Sequence, residues 1–114
     1  MNSNSIIQAL AALAQEHRLA VYRLLVQAGP GGMPAGVLAE RIGVPPSSMS
    51  FHLAQLANAG LVTQRRQSRS IIYSADFDTM NSVMGYLTEN CCGGMSCSPT
   101  VACAPQLSDQ KEVA

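Results

Sequence analysis

The stretch "SSMSFHLAQLANAGLVTQRRQSRSIIYSA", Ser47 to Ala75, decides the fold. Its first half sets Met49, Leu53 and Leu56 at i, i+4 and i+7, the spacing of one apolar helical face, and Gly60 stops the pattern. With that face toward a core, Ser47, Ser48, Ser50, His52 and Gln55 fall wholly or partly on the other side, a division that Phe51 fits poorly. The second half holds "LVTQRR" and "SIIYS", both rich in β-branched or aromatic residues, with "QSR" between them. That pattern predicts a two-stranded β-hairpin with an arginine-bearing tip.

Working back from Ser47, Pro45 and Pro46 break and restart the chain, and Ser47 or Ser48 is placed to cap the new helix. Before them "PAGVLAERIG" reads as a short helix closed by Gly43. Two earlier helices follow from Ile6, Ile7, Leu10 and Leu13, and from the run Leu19 to Val26, which "GPGG" terminates. His17 opens the second of these as a surface or capping residue.

Working forward, "ADFDTMNSVMGYLTEN" predicts a last helix over Asp76 to Asn90. Asp76 or Asp78 suits its positive end, and Phe77, Met80, Val83, Met84 and Leu87 form an apolar stripe. Gly85 inside it costs roughly 1 kcal/mol of propensity, which a close helix contact there would explain. Beyond Cys97 no periodicity is sustained.

Helix, helix, helix-turn-helix, hairpin, helix is the order of a mainly α winged helix, whose second turn helix enters the major groove of DNA. The chemistry suits that role. Hydroxyl, imidazole and amide groups on the outer face of the helix can bond phosphates and base edges, and Arg65, Arg66 and Arg69 supply phosphate charge on the wing. Each residue also has a plain structural use. Serines cap, a histidine packs in a core, and arginines guard a sheet edge against aggregation. The order of all these elements together is what favours DNA.

Composition agrees. At 114 residues and 47% hydrophobic, the chain suffices for one core, so residues 1–90 are expected to form the DNA-binding and dimerisation domain, with 91–114 a cysteine-containing segment and tail. Zero net charge hides an asymmetry. Residues 1–74 carry six arginines against two glutamates, whereas the remainder carries one lysine against five carboxylates. A basic body suits a polyanionic partner, and equally an ordinary solvated surface with uneven charge. No apolar run approaches the ~20 residues of a membrane span, and "MNSNSIIQAL" lacks a secretory pattern, so a cytoplasmic protein with no membrane partner is expected.

In that reducing compartment, "ENCCGGMSC" and the later Cys103 are expected to be free thiols, metal ligands or redox sensors rather than disulfides. Thiolates select soft, thiophilic ions, whereas magnesium, calcium and manganese prefer oxygen. Adjacent helical side chains diverge by ~100°, so Cys91 and Cys92 share one ion only where the backbone bends. Gly93 and Gly94 permit the bend, and the "MS" spacer lets Cys97 return as third ligand. Cys103 is a further candidate ligand or a spare thiol.

The segments "ALAQEHRLAVYRLL" and "LAERIGVPPSSMSFHLAQLANAGLVTQRRQSRSIIYSA", with vicinal cysteines after the last helix, resemble the ArsR family of bacterial metal-sensing repressors across roughly residues 6–97. The resemblance implies a homodimer through the first and last helices, an inverted-repeat operator in double-stranded DNA, and release when inducer binds. It implies no permanently bound cofactor. One arsenic-sensing branch carries its cysteines on the helix before the recognition helix, but here "GGMPAGVLAERIG" has none. Another uses histidine and carboxylates on the last helices, but Asp76 to Asn90 contains no histidine. The chain is instead similar to the branch with an arsenite site at the C-terminal end of the dimer helix. This implies Cys91, Cys92 and Cys97 as ligands for As(III), and for Sb(III) by the same chemistry.

Rival readings keep the fold and change the signal: a thiol-redox sensor, or a cadmium, lead or zinc sensor. A structural zinc site fits poorly because the spacing lacks C-x2-C pairs. A thiol enzyme such as an arsenate reductase fits least. A catalytic thiol wants a helix N-terminus or a cation, whereas Cys91 follows a helix C-terminus and Glu89.

Overall fold

A computed structural model describes residues 2–89. Its elements run α1 (Ser3–Leu13), α2 (Glu16–Ala28), a 3-10 turn (Gly29–Gly31), β1 (Met33–Pro34), α3 (Ala35–Ile42), α4 (Pro46–Asn58), β2 (Val62–Gln67), β3 (Ser70–Ala75) and α5 (Phe77–Leu87). The segment 91–114, with Cys91, Cys92, Cys97 and Cys103, lies outside the described residues. None of the described helices is long and apolar enough to cross a membrane.

Three helix starts are set by polar side chains that accept otherwise orphaned backbone N–H groups. Asn2 accepts from Ser5 N–H at 2.9 Å, Gln15 from Arg18 N–H at 2.9 Å, and Asp76 from Thr79 N–H at 3.1 Å. At α4 the sequence expectation fails. The N-cap is Pro45, with no side-chain hydrogen bond, and Pro46 is already helical. Extended Pro45 and the fixed φ of Pro46 start the helix before either serine, so Ser47 and Ser48 do not cap it.

One core joins the helices to the base of the hairpin. Met49, Leu53 and Leu56 pack there with Val21, Leu25, Leu38 and Leu61, all at most 1% exposed. Burying each such side chain contributes about 1.5–3 kcal/mol. Backbone bonds pin the hairpin to α4: Leu61 N–H donates to Leu56 O at 3.0 Å, and Asp76 N–H donates to Leu61 O at 2.8 Å.

The hairpin pairs Val62 with Ala75 through to Gln67 with Ser70, so the loop is only Ser68 and Arg69. Ser68 takes φ +56°, a conformation that two-residue hairpin loops need and that a serine adopts under strain. The sheet has a third strand that the sequence pattern did not predict. β1 pairs antiparallel with β3, Met33 opposite Tyr73, giving the order β1-β3-β2. Gly32 makes this possible. At φ +70°, a Cβ there would strike the Tyr73 carbonyl oxygen and lie 2.6 Å from Ser74 Oγ.

The last helix is shorter than Asp76 to Asn90. It ends at Leu87, and the Thr88 hydroxyl donates to Met84 O at 2.8 Å. Its stripe is only half covered: Val83 is buried, whereas Phe77, Met84 and Leu87 are exposed. Among the described residues no helix packs closely on Gly85, where a Cβ would meet nothing within 4 Å.

Candidate nucleic-acid interface

The helix-turn-helix is α3, a left-handed residue and α4. Gly43 sits at φ +84°, and the N–H groups of Gly43 and Val44 both donate to Ala39 O, at 2.8 and 3.1 Å. This cap turns the chain sharply, and Val44 and Pro45 deliver it to α4. The free N–H groups and positive dipole end of α4 are thereby presented with Ser47 and Ser48, whose hydroxyls are not spent on capping.

Along α4 the candidate residues separate by exposure. Ser47 and Ser50 are exposed, while Ser48, His52 and Gln55 are half-buried. Gln55 lines a groove with Gln8 and Ala12 of α1, Arg18 of α2, and Asn58. Arg18 holds that junction together, its Nε–H donating to Ala12 O at 2.6 Å.

His52 is more a bracket than a free donor. Its ring centroid lies 5.5 Å from that of His17, and its Nδ1 is enclosed with no hydrogen-bond partner among the described residues. Burial foremost, then the Arg18 guanidinium and the His17 ring, hold its pKa below the ordinary 6.5. These surroundings favour the neutral ring. His17 is not a cap, since Gln15 fills that role; it is half-buried in this pair.

On the wing all three arginines are exposed, but they are not equivalent. Arg65 Nη2–H donates to Gly31 O at 3.0 Å, tying β2 to the turn before β1. Arg66 is paired across from Ile71 near the tip, and Arg69 occupies the loop itself. Because β2 contacts α4, the wing and the helix form one packed unit.

Phe51, which fits the inward–outward division of the sequence poorly, is exposed on α4 at 57%, as are Ala54 and Asn58, which the sequence pattern did not single out. The signal was present. Each lies well away from the Met49, Leu53 and Leu56 face on a helical wheel. Among the described residues, no group of three His, Cys, Asp or Glu side chains is placed to hold a metal ion.

Residues 13–65 match a family described as a helix-turn-helix domain. The HTH-type transcriptional regulator YgaV of Escherichia coli is 31% identical over 83 residues, covering 73% of this chain and 82% of that protein. Among solved structures, an ArsR-like transcriptional regulator from Rhodococcus sp. RHA1 superimposes with a TM-score of 0.66 at 27% identity, covering 77% of this chain and 79% of that one. The chain belongs to the ArsR family of winged-helix regulators.

Similarity within the ArsR family is spread over members with different names. Nodulation protein NolR of Rhizobium meliloti is 34% identical over 80 residues, 70% of this chain, and the match spans only 63% of NolR's length. A structure described as a possible transcriptional regulator for arsenical resistance matches at 28% identity with a TM-score of 0.61, over 70% of this chain and 79% of that one.

Proposed function

We propose that the protein is a DNA-binding transcriptional repressor that acts in the cytoplasm as a homodimer on an inverted-repeat operator. Trivalent arsenic bound by cysteine thiolates releases it. The observation that carries the DNA part is the packed unit of α4 and wing, which presents Ser47, Ser50 and the free end of α4 alongside Arg66 and Arg69. Phosphate contacts from such groups set position and affinity, and the outer face of α4 reads bases.

The homodimer has a separate support. α1 and α5 touch each other, and each leaves apolar residues uncovered, Ile7 at 61% and Leu10 on α1, Met84 and Leu87 on α5. A second copy with two-fold symmetry would cover both and set two recognition helices one helical turn of DNA apart.

The inducer assignment rests on chemistry and family. Cys91, Cys92 and Cys97 offer three soft donors a few residues past the end of α5. An ion that gathers them reorganises the end of a dimer helix, and a coupling of ~1–3 kcal/mol is enough to change operator affinity. Sb(III) should act alike, and Cys103 is dispensable in this reading. Family membership speaks against a thiol-dependent enzyme such as an arsenate reductase.

Fluorescence anisotropy of reduced protein on its own promoter DNA tests both halves, titrating arsenite, antimonite, cadmium, lead, zinc and an oxidant in parallel. Arsenite should release the protein, and serine at Cys91, Cys92 or Cys97 should abolish release without weakening DNA binding. Release by cadmium, lead or zinc alone, or by the oxidant alone, overturns the arsenic assignment and leaves the repressor. No binding to promoter DNA overturns the repressor.

A further inference from the structure

The outer ridge of α4 carries an unusual set of side chains for a helix that reads DNA. A helix turning by ~100° per residue places Ser47, Phe51, Ala54 and Asn58 opposite Met49, Leu53 and Leu56, and all four are exposed. α4 contains no arginine or lysine, so the fork that recognises guanine O6 and N7 is missing from it. Asn58 is the last residue of the helix, whereas base edges are reached from a recognition helix's N-terminal part. Gln55 lines the groove beside α1 and α2. Ser48 and His52 are half-buried, so the fully exposed groups left to meet a base are the hydroxyls of Ser47 and Ser50, the Phe51 ring, and the Ala54 methyl on the next turn.

Phe51 is a large apolar group that its own chain leaves 57% exposed. One flank is supported, because the His52 ring lies edge-on at 5.9 Å, and its ridge neighbours Ser47 and Ala54 are small. The ring therefore projects from the ridge. A phenyl ring cannot hydrogen-bond a base edge, and the apolar group that the major groove offers it is the C5-methyl of thymine.

We infer that Phe51 is a specificity-determining residue that packs on the C5-methyl of a thymine in each operator half-site, with Ala54 beside it. The inference rests on the reading of α4 as the recognition helix. It assigns this helix a preference for a methylated pyrimidine where many recognition helices choose guanine. It also predicts that 5-methylcytosine substitutes for that thymine, since it carries the same methyl, and that uracil does not.

The test begins with duplex sites selected from a random pool by the full-length reduced protein. Each thymine of a half-site is then replaced singly by deoxyuridine, which removes only the methyl, and binding is read by anisotropy at fixed salt. At one thymine per half-site the change should weaken wild-type binding by about fourfold, the weight of one methyl group removed from water. Phe51→Ala should bind the thymine and uracil duplexes alike, and Phe51→Leu should retain part of the preference. Unchanged thermal melting of both variants would show that the fold is intact, as expected for an exposed position. Tolerance of uracil at every thymine overturns the inference, as does a uracil penalty undiminished in Phe51→Ala, and both leave the repressor reading standing. Failure to select any duplex site overturns both.

Discussion

α4 and α5 carry similar apolar spacing, yet the chain treats them differently. The inward stripe of α4 is sealed by α2, α3 and Leu61, with Leu53 and Leu56 at 0% exposure. The stripe of α5 is sealed along one edge only, where Val83 is buried, while Leu87 is 55% exposed. Apolar periodicity therefore marks a face that needs a partner, without saying whether the same chain provides it. The α2–α3–α4 junction is finished within the described residues, which leave the α1–α5 flank partly uncovered.

The largest expected effect tests the finished half. Leu53→Ala removes a fully buried side chain from the centre of the junction and should cost about 2–5 kcal/mol of unfolding free energy. Leu10→Ala on the flank should cost less than about 0.5 kcal/mol when the protein is diluted below self-association. Urea denaturation of the two variants at low concentration measures the contrast. Equal losses would show that the flank is as complete within one chain as the junction.

A charge on the flank tests what completes it. Ile7→Glu and Leu87→Glu place carboxylates on exposed positions, so each variant should keep its helical circular dichroism. In the proposed homodimer the same carboxylates would be buried against apolar surface, and self-association by sedimentation should weaken by at least about tenfold. Operator affinity should fall with it. A dimer that persists in both variants would place its interface elsewhere and leave the flank for another partner.

Much of this contrast was legible from spacing alone, because periods of 3.6 and 2 report which faces want cover. The helix-turn-helix and hairpin fell where Met49, Leu53, Leu56 and the β-branched runs placed them. The misses have local or long-range causes. Two prolines overrode two good capping serines at α4, a conflict that residue preferences alone rank the wrong way. β1 is two residues long, too short to show a period, and it depends on Gly32 lying against β3.

In the candidate site, residue types were legible and their engagements were not. Arg65 reaches a carbonyl 34 residues away, and His52 meets His17 across two helices. The sequence showed Phe51 as a misfit but not its use, since an aromatic residue is expected inside and the wheel places it outside.

The smallest effect concerns a proton at the edge of the finished junction. His52 sits between α2 and α4, facing Arg18 and His17, with Phe51 on its other side. Its folded pKa is below 6.5, the ordinary value it regains when unfolded. Well above pH 6.5 the ring is neutral in both states and contributes no pH dependence. As the pH falls through 6.5 toward the lowered value, the unfolded chain takes up the proton first, so its binding favours unfolding. Stability should therefore decline on acidification across that window, by less than either Leu53→Ala or the loss of the dimer costs. His52→Gln keeps a polar group of similar reach but does not titrate, so its stability should fall less between pH 7.5 and pH 5.5 than the wild type's, measured by urea denaturation at the two pH values. Identical slopes would mean that the ring leaves the junction when protonated and that the α2–α4 contact holds without it. The junction would then be sealed by its leucines alone, and the contrast with the flank would be purely one of apolar cover.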